Sequence, residues 1–207
     1  MTALLLATAN AGKVRELREL LSSLAIDVLT PLELGLWIEV EETGETLEEN
    51  ARRKALAHVA AASVPALADD SGLEVDALGG FPGVRSARWV PGADADRVAA
   101  LLDRLKDVPA ELRTARFRSV AALALPDGRI AVSAGAVEGR ISGQPRGTGG
   151  FGYDPVFLVE DGGWAGERTM AELPPSEKNR LSHRARAVRA LWPELERLAG
   201  QPSGLSS

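Results

Sequence analysis

The sequence contains no cysteine among its 207 residues, and it has only two histidines. Without cysteine the chain cannot form a disulfide, a thiolate zinc site or a thiol nucleophile, so we expect a reducing, cytoplasmic environment. No segment approaches the roughly 20 apolar residues needed to cross a bilayer, and the first apolar run, Ala3 to Ala7, is too short for a signal-peptide core. We therefore expect no membrane partner.

Basic residues are also fewer than acidic ones: the chain has 24 Lys and Arg and 29 Asp and Glu, which gives a formal net charge of −5. This balance argues against a nucleic-acid partner bound through overall charge, and an anionic ligand would need a local basic pocket. Hydrophobic residues make up 45% and charged residues 26%, as in ordinary globular chains. We expect one domain of two lobes over residues 1–200 and a disordered tail at 201–207.

Apolar periodicity interleaves helices with strands along the chain. Helical signals occur near residues 14–24, 46–62, 94–105 and 175–199, and candidate strands lie at 4–7, 65–68, 116–125, 129–137 and 156–159. Pro126-Asp127-Gly128, between the third and fourth candidate strands, is a hairpin signal. The pattern predicts an α/β fold in which helices flank a mixed, twisted β-sheet.

The loop between the first strand and the first helix is a candidate phosphate site. It comprises Thr8, Ala9, Asn10, Ala11, Gly12 and Lys13. Backbone amides and the positive end of a helix dipole suit such a loop to phosphate; Lys13 would add a full charge, and Thr8 and Asn10 could donate hydrogen bonds. The loop is not a Walker A motif, because Ala7 and Val14 stand where that motif needs Gly and Ser or Thr. A tight turn with a surface lysine is the alternative.

An acidic stretch precedes the second helix. Thr46 is placed to cap that helix, and Glu49 stands at the reciprocal position of a capping box. Acidic residues at a helix start suit the dipole, so a solvated helix end explains most of the stretch. Glu42 lies ahead of the cap, where capping does not account for it, and a metal-ligand role is open.

Two adjacent acids, Asp69 and Asp70, follow the candidate strand at 65–68. Strand ends commonly present ligands in α/β folds, and adjacent residues of a strand face opposite ways, so we expect one carboxylate to enter a shared site. Glu42 and an Asp could bind Mg²⁺ together with substrate phosphates. The sequence Asp69-Asp70-Ser71-Gly72 also favours a turn, which is the structural alternative.

Glycine is concentrated at Gly147 to Gly152, where four of six residues are glycine. Such a segment lets backbone approach a ligand closely, while Phe151 offers a stacking face and Asp154 an acceptor. The alternative is an irregular hairpin connection with Phe151 in the core.

The last candidate set is basic and comprises Lys178, His183 and Arg184, with Ser182 as a possible helix cap. The helix dipole disfavours cations in a first turn, which makes a purely structural role for His183 and Arg184 less favourable. A basic solvated face is the alternative. A nucleic-acid-binding patch is a less favoured interpretation of these basic residues, because only 4% of the chain is aromatic.

Five of these segments, in this order, resemble motifs of the inosine/xanthosine triphosphate pyrophosphatase family. The matching segments are Thr8–Lys13, Glu42–Ala55, Ala68–Gly72, Gly147–Pro155 and Ser182–Arg184. Each motif is weak alone, and their joint order is the specific signal. Leu47 and Met170 stand where the family often has Phe, and these apolar exchanges affect packing more than chemistry.

The resemblance implies Mg²⁺-dependent hydrolysis of ITP, dITP and XTP to the nucleoside monophosphate and pyrophosphate, which removes deaminated purines from the nucleotide pool. It implies a homodimer of elongated, two-lobed α/β subunits with the active site in the cleft between the lobes. Glu42 and Asp70 match the metal ligands, and Asp70 matches the catalytic acid that activates water.

The same resemblance assigns the substrate contacts. Thr8 to Lys13 and Lys54 match phosphate contacts, Ser71 matches a substrate contact, and Arg88 matches a basic residue near the phosphates. The positions that match the base-binding set are Phe151, Gly152, Tyr153, Asp154, Lys178, His183 and Arg184.

Two alternatives stay open. A pyrophosphatase of the group that acts on dTTP and UTP is one, although the glycine-rich segment and His183-Arg184 argue against it. A non-catalytic nucleotide-binding protein is the other; it would keep Lys13 and Phe151 but would need neither Glu42 nor Asp70.

Overall fold

The computed structural model describes residues 2–161, 163 and 166–200, so the tail predicted at 201–207 lies outside the described residues. The described strands are β1 (Thr2–Leu6), β2 (Ile26–Leu29), β3 (Ala66–Val75), β4 (Thr114–Ala124), β5 (Ile130–Ile141) and β6 (Phe157–Val159). The described α-helices are α1 (Ala11–Leu21), α2 (Leu47–Ala62), α3 (Asp94–Arg104), α4 (Pro175–Leu181), α5 (His183–Ala190) and α6 (Trp192–Ala199). Within these ranges no helix is long and apolar enough to cross a membrane.

The six strands form one sheet in the order β2-β1-β3-β4-β5-β6. β1 pairs in parallel with both β2 and β3, whereas β5 and β6 pair antiparallel, so the sheet is mixed. A tight turn joins β4 to β5, in which the Gly128 N–H donates to the Leu125 carbonyl at 3.0 Å. The prediction of an α/β fold with a mixed sheet is confirmed.

The chain divides into two compact units. Of the described residues, unit one contains 2–70, 119–135 and 184–200, and unit two contains those within 71–118 and 136–183. The apolar core of unit one includes buried leucines of β1, α1 and α6, whereas that of unit two includes aliphatic side chains of β3 and α3 with Phe117 and Phe157. Each unit therefore has an apolar core of its own.

Local capping explains where two helices begin. The Asn10 side chain accepts a hydrogen bond from the Lys13 N–H at the start of α1, and Thr46 accepts one from the Glu49 N–H at the start of α2. The Glu49 carboxylate accepts from the Glu45 N–H at 2.8 Å, one residue ahead of the predicted capping-box partner. These acceptors satisfy amides that a helix start leaves without intrahelical partners.

The turn predicted at Asp69-Asp70-Ser71-Gly72 is wrong, because β3 continues through it to Val75. Gly72 allows this path, since a Cβ there would lie 2.3 Å from the Gly83 carbonyl oxygen. The following Leu73 N–H donates to Ser86 Oγ at 2.9 Å. Sheet pairing and these contacts outweigh the local turn preference of the four residues.

Candidate active site

Strand β3 carries Asp69 and Asp70, which are 1% and 5% exposed. Asp70 accepts hydrogen bonds from Lys54 Nζ at 2.7 Å and from Asn50 Nδ2 at 3.2 Å. Asp69 pairs instead with Lys13 Nζ at 3.2 Å and with Arg184 Nε at 3.1 Å. The two carboxylates have different partners, as expected of consecutive residues in a strand.

These partners belong to one set of side chains in unit one, here named the charged cluster. It comprises Lys13, Glu16, Glu42, Asn50, Lys54, Asp69, Asp70 and Arg184. Four elements supply most of it, because α1, α2, β3 and α5 each contribute at least one member. The motifs at Thr8–Lys13, Glu42–Ala55 and Ala68–Gly72 are thus brought together, as is Arg184.

Lys54 is the centre of the cluster's contacts. Its ammonium donates to Glu42 Oε1 at 3.0 Å, to the Asp69 carbonyl oxygen at 2.9 Å and to Asp70 Oδ1 at 2.7 Å. Burial lowers the pKa of Lys54, but the charges of Asp70, Asp69 and Glu42 outweigh it and raise the pKa above the usual value. Lys54 is therefore a cation at neutral pH.

Lys13 and Asp70 respond to burial in opposite directions. Burial, reinforced by Lys54 and Arg184, lowers the pKa of Lys13 although Asp69 opposes the change. Burial also raises the pKa of Asp70, with a smaller contribution from Glu42, although Lys54 opposes it. An added anion would keep Lys13 charged, and an added cation would keep Asp70 charged.

Glu42 and Asp70 supply carboxylate oxygens, which are suitable ligands for a magnesium ion. Both carboxylates lie within 3.0 Å of one ammonium nitrogen, and 32% of the Glu42 side chain is exposed. Across the described parts of the chain, no three His, Asp or Glu side chains are grouped as a metal site. Mg²⁺ commonly uses one or two carboxylates with water and substrate phosphates, which suits this pair.

The loop before α1 is built around its own hydrogen bonds. The Asn10 side-chain oxygen accepts from the Lys13 N–H at 3.0 Å, and Thr8 Oγ1 accepts from the Asn10 N–H at 3.2 Å. The Thr8 hydroxyl hydrogen and the Asn10 side-chain amide remain donors, so the predicted donation from these two side chains to a ligand stays a prediction. Ala9, Asn10 and Ala11 are exposed, and Thr8 and Gly12 are partly buried, so the loop is accessible to a ligand.

Arg184 lies in the first turn of α5 and is 1% exposed. Its guanidinium donates to Asp69 through Nε and to Glu16 through Nη1. Two carboxylates offset the unfavourable interaction of this cation with the helix dipole. The base contact predicted for Arg184 stays a prediction.

A second set of contacts lies in unit two, in the segment 147–154 that we call the glycine loop. Asp154 Oδ2 accepts from the Phe151 N–H at 2.8 Å and from Lys178 Nζ at 2.6 Å. The same ammonium lies 4.8 Å from the centre of the Phe151 ring, within cation–π range. The structure thus brings together Phe151, Asp154 and Lys178.

Glycine is required at position 150 of this loop. Gly150 has φ +73°, and a Cβ there would lie 2.0 Å from Asp154 Oδ2. The next glycine, Gly152, donates its N–H to Asp94 Oδ2 at 2.6 Å. Loop geometry therefore depends on glycine and on two carboxylates.

The remaining predicted residues of unit two differ in exposure. Tyr153 is 4% exposed, and its hydroxyl donates to the Ser86 carbonyl at 2.8 Å. His183 is 5% exposed and stacks on Phe117, with ring centres 4.8 Å apart. Ser71 is partly buried on β3, and Arg88 is exposed.

Three polar residues that support these groups were not predicted from the sequence: Glu16, Asn50 and Asp94. Glu16 is one turn after Lys13 on α1, and Asn50 is one turn before Lys54 on α2. That spacing places each on the same helix face as a predicted lysine, which is the signal that could have found them. Asp94 was noted only as the start of a helix.

Comparison with known proteins supports one family. The sequence model of the Ham1 family matches residues 4–194. A protein of Symbiobacterium thermophilum named dITP/XTP pyrophosphatase is 56% identical over 89% of this chain and 90% of its own, and one of Bacillus subtilis with the same name is 46% identical over 93% and 96%. The solved structure of a HAM1 protein from Coxiella burnetii is 39% identical, has a TM-score of 0.83 and is matched over 95% of this chain and 100% of its own.

Proposed function

The chain belongs to the Ham1 family, and from this premise we propose that it is a nucleoside triphosphate pyrophosphatase that hydrolyses non-canonical purine nucleotides. Its substrates are dITP, XTP and ITP, and its products are the nucleoside monophosphate and pyrophosphate. The names of the relatives from Symbiobacterium thermophilum and Bacillus subtilis support this substrate class. The reaction removes deaminated purines from the nucleotide pool.

One observation in the site carries the proposal: Glu42 and Asp70 converge on Lys54 in a cluster that also holds Lys13. A protein that only binds nucleotides needs cations for the phosphates, but it has no need of two acids beside them. Phosphoryl transfer needs both, because a metal must be held where phosphate charge is neutralised. The cluster therefore favours hydrolysis over binding alone.

We assign the triphosphate and the metal to the charged cluster. Glu42 and Asp70 would hold Mg²⁺, which would neutralise phosphate charge and polarise the bond between the α and β phosphates. Lys13 and Lys54 would bind phosphate oxygens, together with the backbone of Thr8 to Gly12.

Asp70 is the proposed acceptor of the proton from the attacking water. Burial raises the pKa of its carboxyl, and a bound Mg²⁺ would oppose that shift and keep the carboxylate ionised and able to take the proton. Asn50 and Lys54 each bond one of its oxygens and fix the orientation of the carboxylate. Water adds to phosphorus as the bond between the α and β phosphates breaks, and pyrophosphate leaves with that electron pair.

We assign the purine base to the second set of contacts, with Phe151 as the stacking face, Ser71 as a further substrate contact and Arg88 near the phosphates. Hypoxanthine and xanthine have an oxygen at position six where adenine has an amino group. His183 and Arg184 would donate hydrogen bonds to that oxygen, whereas the amino group of adenine would place a second donor against them. An unpaired buried donor costs about 1–3 kcal/mol, so two would discriminate by roughly a hundredfold or more.

Release of pyrophosphate from a panel of nucleotides tests the proposal. With Mg²⁺ present, we expect ITP, dITP and XTP to be hydrolysed with a kcat/KM roughly a hundredfold above that for ATP. Preference for dTTP and UTP would instead indicate the pyrimidine-specific alternative. Tight binding without turnover would indicate a non-catalytic nucleotide-binding protein.

The variant Asp70→Asn tests the site in the same assay. We expect kcat to fall by at least about a thousandfold while much of the nucleotide affinity remains, because charge is lost but little volume changes. Glu48→Gln is the matched control, since Glu48 is an exposed acid on α2 that pairs with Arg52. Turnover by Asp70→Asn at the wild-type rate would refute the assignment.

Two further features belong to the proposal. We propose a homodimer in the cytoplasm, supported by the family resemblance and by the lack of cysteine. Sedimentation of the purified chain would test the dimer.

A further inference from the structure

Asp94, the first residue of α3, reaches the glycine loop in unit two. Its Oδ2 accepts the Gly152 N–H at 2.6 Å, and its Oδ1 accepts Arg97 Nη2 at 2.6 Å. We propose that Asp94 is a positioning residue that holds the glycine loop in the geometry required for base discrimination. This inference rests on the proposed function of Phe151 as the base-stacking residue.

The glycine loop needs such an anchor because its backbone has little intrinsic stiffness. Gly152 has φ +63°, and among the described residues no heavy atom beyond Gly152 and its two chain neighbours lies within 4 Å of the position that its Cβ would occupy. Packing on that side therefore does not fix the residue. The hydrogen bond to Asp94 supplies a constraint that side-chain packing at Gly152 does not.

Two carboxylates hold two consecutive amides of the loop. Asp154 accepts the Phe151 N–H and also pairs with Lys178, whereas Asp94 accepts the Gly152 N–H and also pairs with Arg97. Each amide is therefore held by an acid that is itself held by a cation. Asp154 lies within the loop and reaches α4 through Lys178, whereas Asp94 lies on α3 and bonds the loop backbone directly.

The role of Asp94 differs from that of an ordinary acid at a helix start. Asp96 lies in the same first turn, and its Oδ2 accepts the Ala93 N–H at 2.7 Å, which is a local contact at the start of α3. Asp94 Oδ2 instead accepts a hydrogen bond from Gly152, which is 58 positions away in the sequence. The two acids thus provide a matched pair of substitutions.

The experiment compares Asp94→Ala, Asp94→Asn and Asp96→Ala with the wild-type chain. We expect Asp94→Ala to raise the KM for dITP about tenfold with kcat nearly unchanged, and to lower the preference for dITP over dATP by a similar factor, since one charge-assisted hydrogen bond is lost. Amide exchange at Phe151 and Gly152, measured without nucleotide, should become faster. Asp94→Asn retains an acceptor oxygen and should recover most of both properties.

Asp96→Ala separates positioning from helix stability. It should lower Tm but leave the KM for dITP and the base preference unchanged. Equal losses of base preference in Asp96→Ala and Asp94→Ala would refute the proposal, as would wild-type KM and exchange in Asp94→Ala. A third outcome separates the two hypotheses: the wild-type chain does not hydrolyse dITP, but amide exchange in the loop is still faster in Asp94→Ala. That result would support Asp94 as the loop anchor and would reject the proposed function.

Discussion

The charged cluster and the glycine loop hold polar groups in place by different means. In the charged cluster, Lys54, Asp69, Asp70 and Arg184 project from helices and a strand whose backbones are already hydrogen-bonded, and their charges balance one another in a buried environment. In the glycine loop the backbone itself is irregular and is held by carboxylates. Loss of a buried charge from the first should therefore act through stability or through the metal and phosphate contacts, whereas displacement of the second should mainly alter binding of the base.

The largest expected effect is that of Arg184→Met on stability. The substitution leaves the buried carboxylates of Glu16 and Asp69 without their guanidinium, which should lower the free energy of unfolding by about 3–5 kcal/mol. Chemical denaturation measures this change. Arg189→Met is the control, because Arg189 is exposed on the same helix and its loss should change stability by less than about 0.5 kcal/mol. Equal stability of the two variants would contradict the contrast between the regions.

Lys13→Ala should act on substrate binding within the charged cluster. We expect the KM for dITP to rise about tenfold or more while kcat changes little, because Asp69 keeps Arg184 as a partner when Lys13 is lost. Steady-state kinetics give both constants. Arg15→Ala, at an exposed position of α1, is the control. Unchanged kinetics for Lys13→Ala would remove the loop before α1 from the site.

Gly150→Ala tests the glycine loop with the least possible change in side chain. The new Cβ would meet Asp154 Oδ2 and would also require a positive φ, so we expect a several-fold increase in the KM for dITP and a loss of about 1–2 kcal/mol in stability. Gly143→Ala is the control in the same connection between β5 and β6, since open space surrounds that position. A KM for Gly150→Ala equal to that of the control would show that the loop tolerates displacement.

The smallest expected effect concerns His58, which is 4% exposed on α2. Burial lowers its pKa below 6.5, with a further lowering by Lys54, although its contact with the Lys54 carbonyl opposes this. The unfolded chain therefore binds a proton more readily, so stability is present above about pH 6.5 and is lost as pH falls through the folded-state pKa. His58→Gln should lose less stability than wild type between about pH 7.5 and about pH 5.5 in denaturation experiments. Parallel losses in the two proteins would contradict this.

Elements with strong local signals could be predicted from the sequence, and elements that depend on distant partners could not. The apolar spacing of α1 and the cap at Thr46 are local, and both helices were found. Strand β2 has only four residues, and it pairs with β1, more than 20 positions away. The continuation of β3 past Asp70 likewise depends on its neighbours in the sheet rather than on its turn-forming residues.

The candidate site shows the same division. Motif order identified Glu42, Lys54 and Asp70, whose contacts the structure then supplied. Asn50 and Glu16 were missed, because their partners Asp70 and Arg184 lie 20 and 168 positions away. The local sequence gives the charge and type of each residue, but it does not identify the distant partner whose charge stabilises a buried acid.

The discontinuity of unit one has a consequence for synthesis on the ribosome. Glu16 and Asp69 precede Arg184 by 168 and 115 residues, so the nascent chain carries both acids long before their shared guanidinium exists. Until α5 emerges, no guanidinium is present to pair with these two carboxylates. Their free energy is then lower in water than in the protein interior. The early strands and helices of unit one should therefore stay loosely packed until α5 has been synthesised, and this unit should consolidate only then.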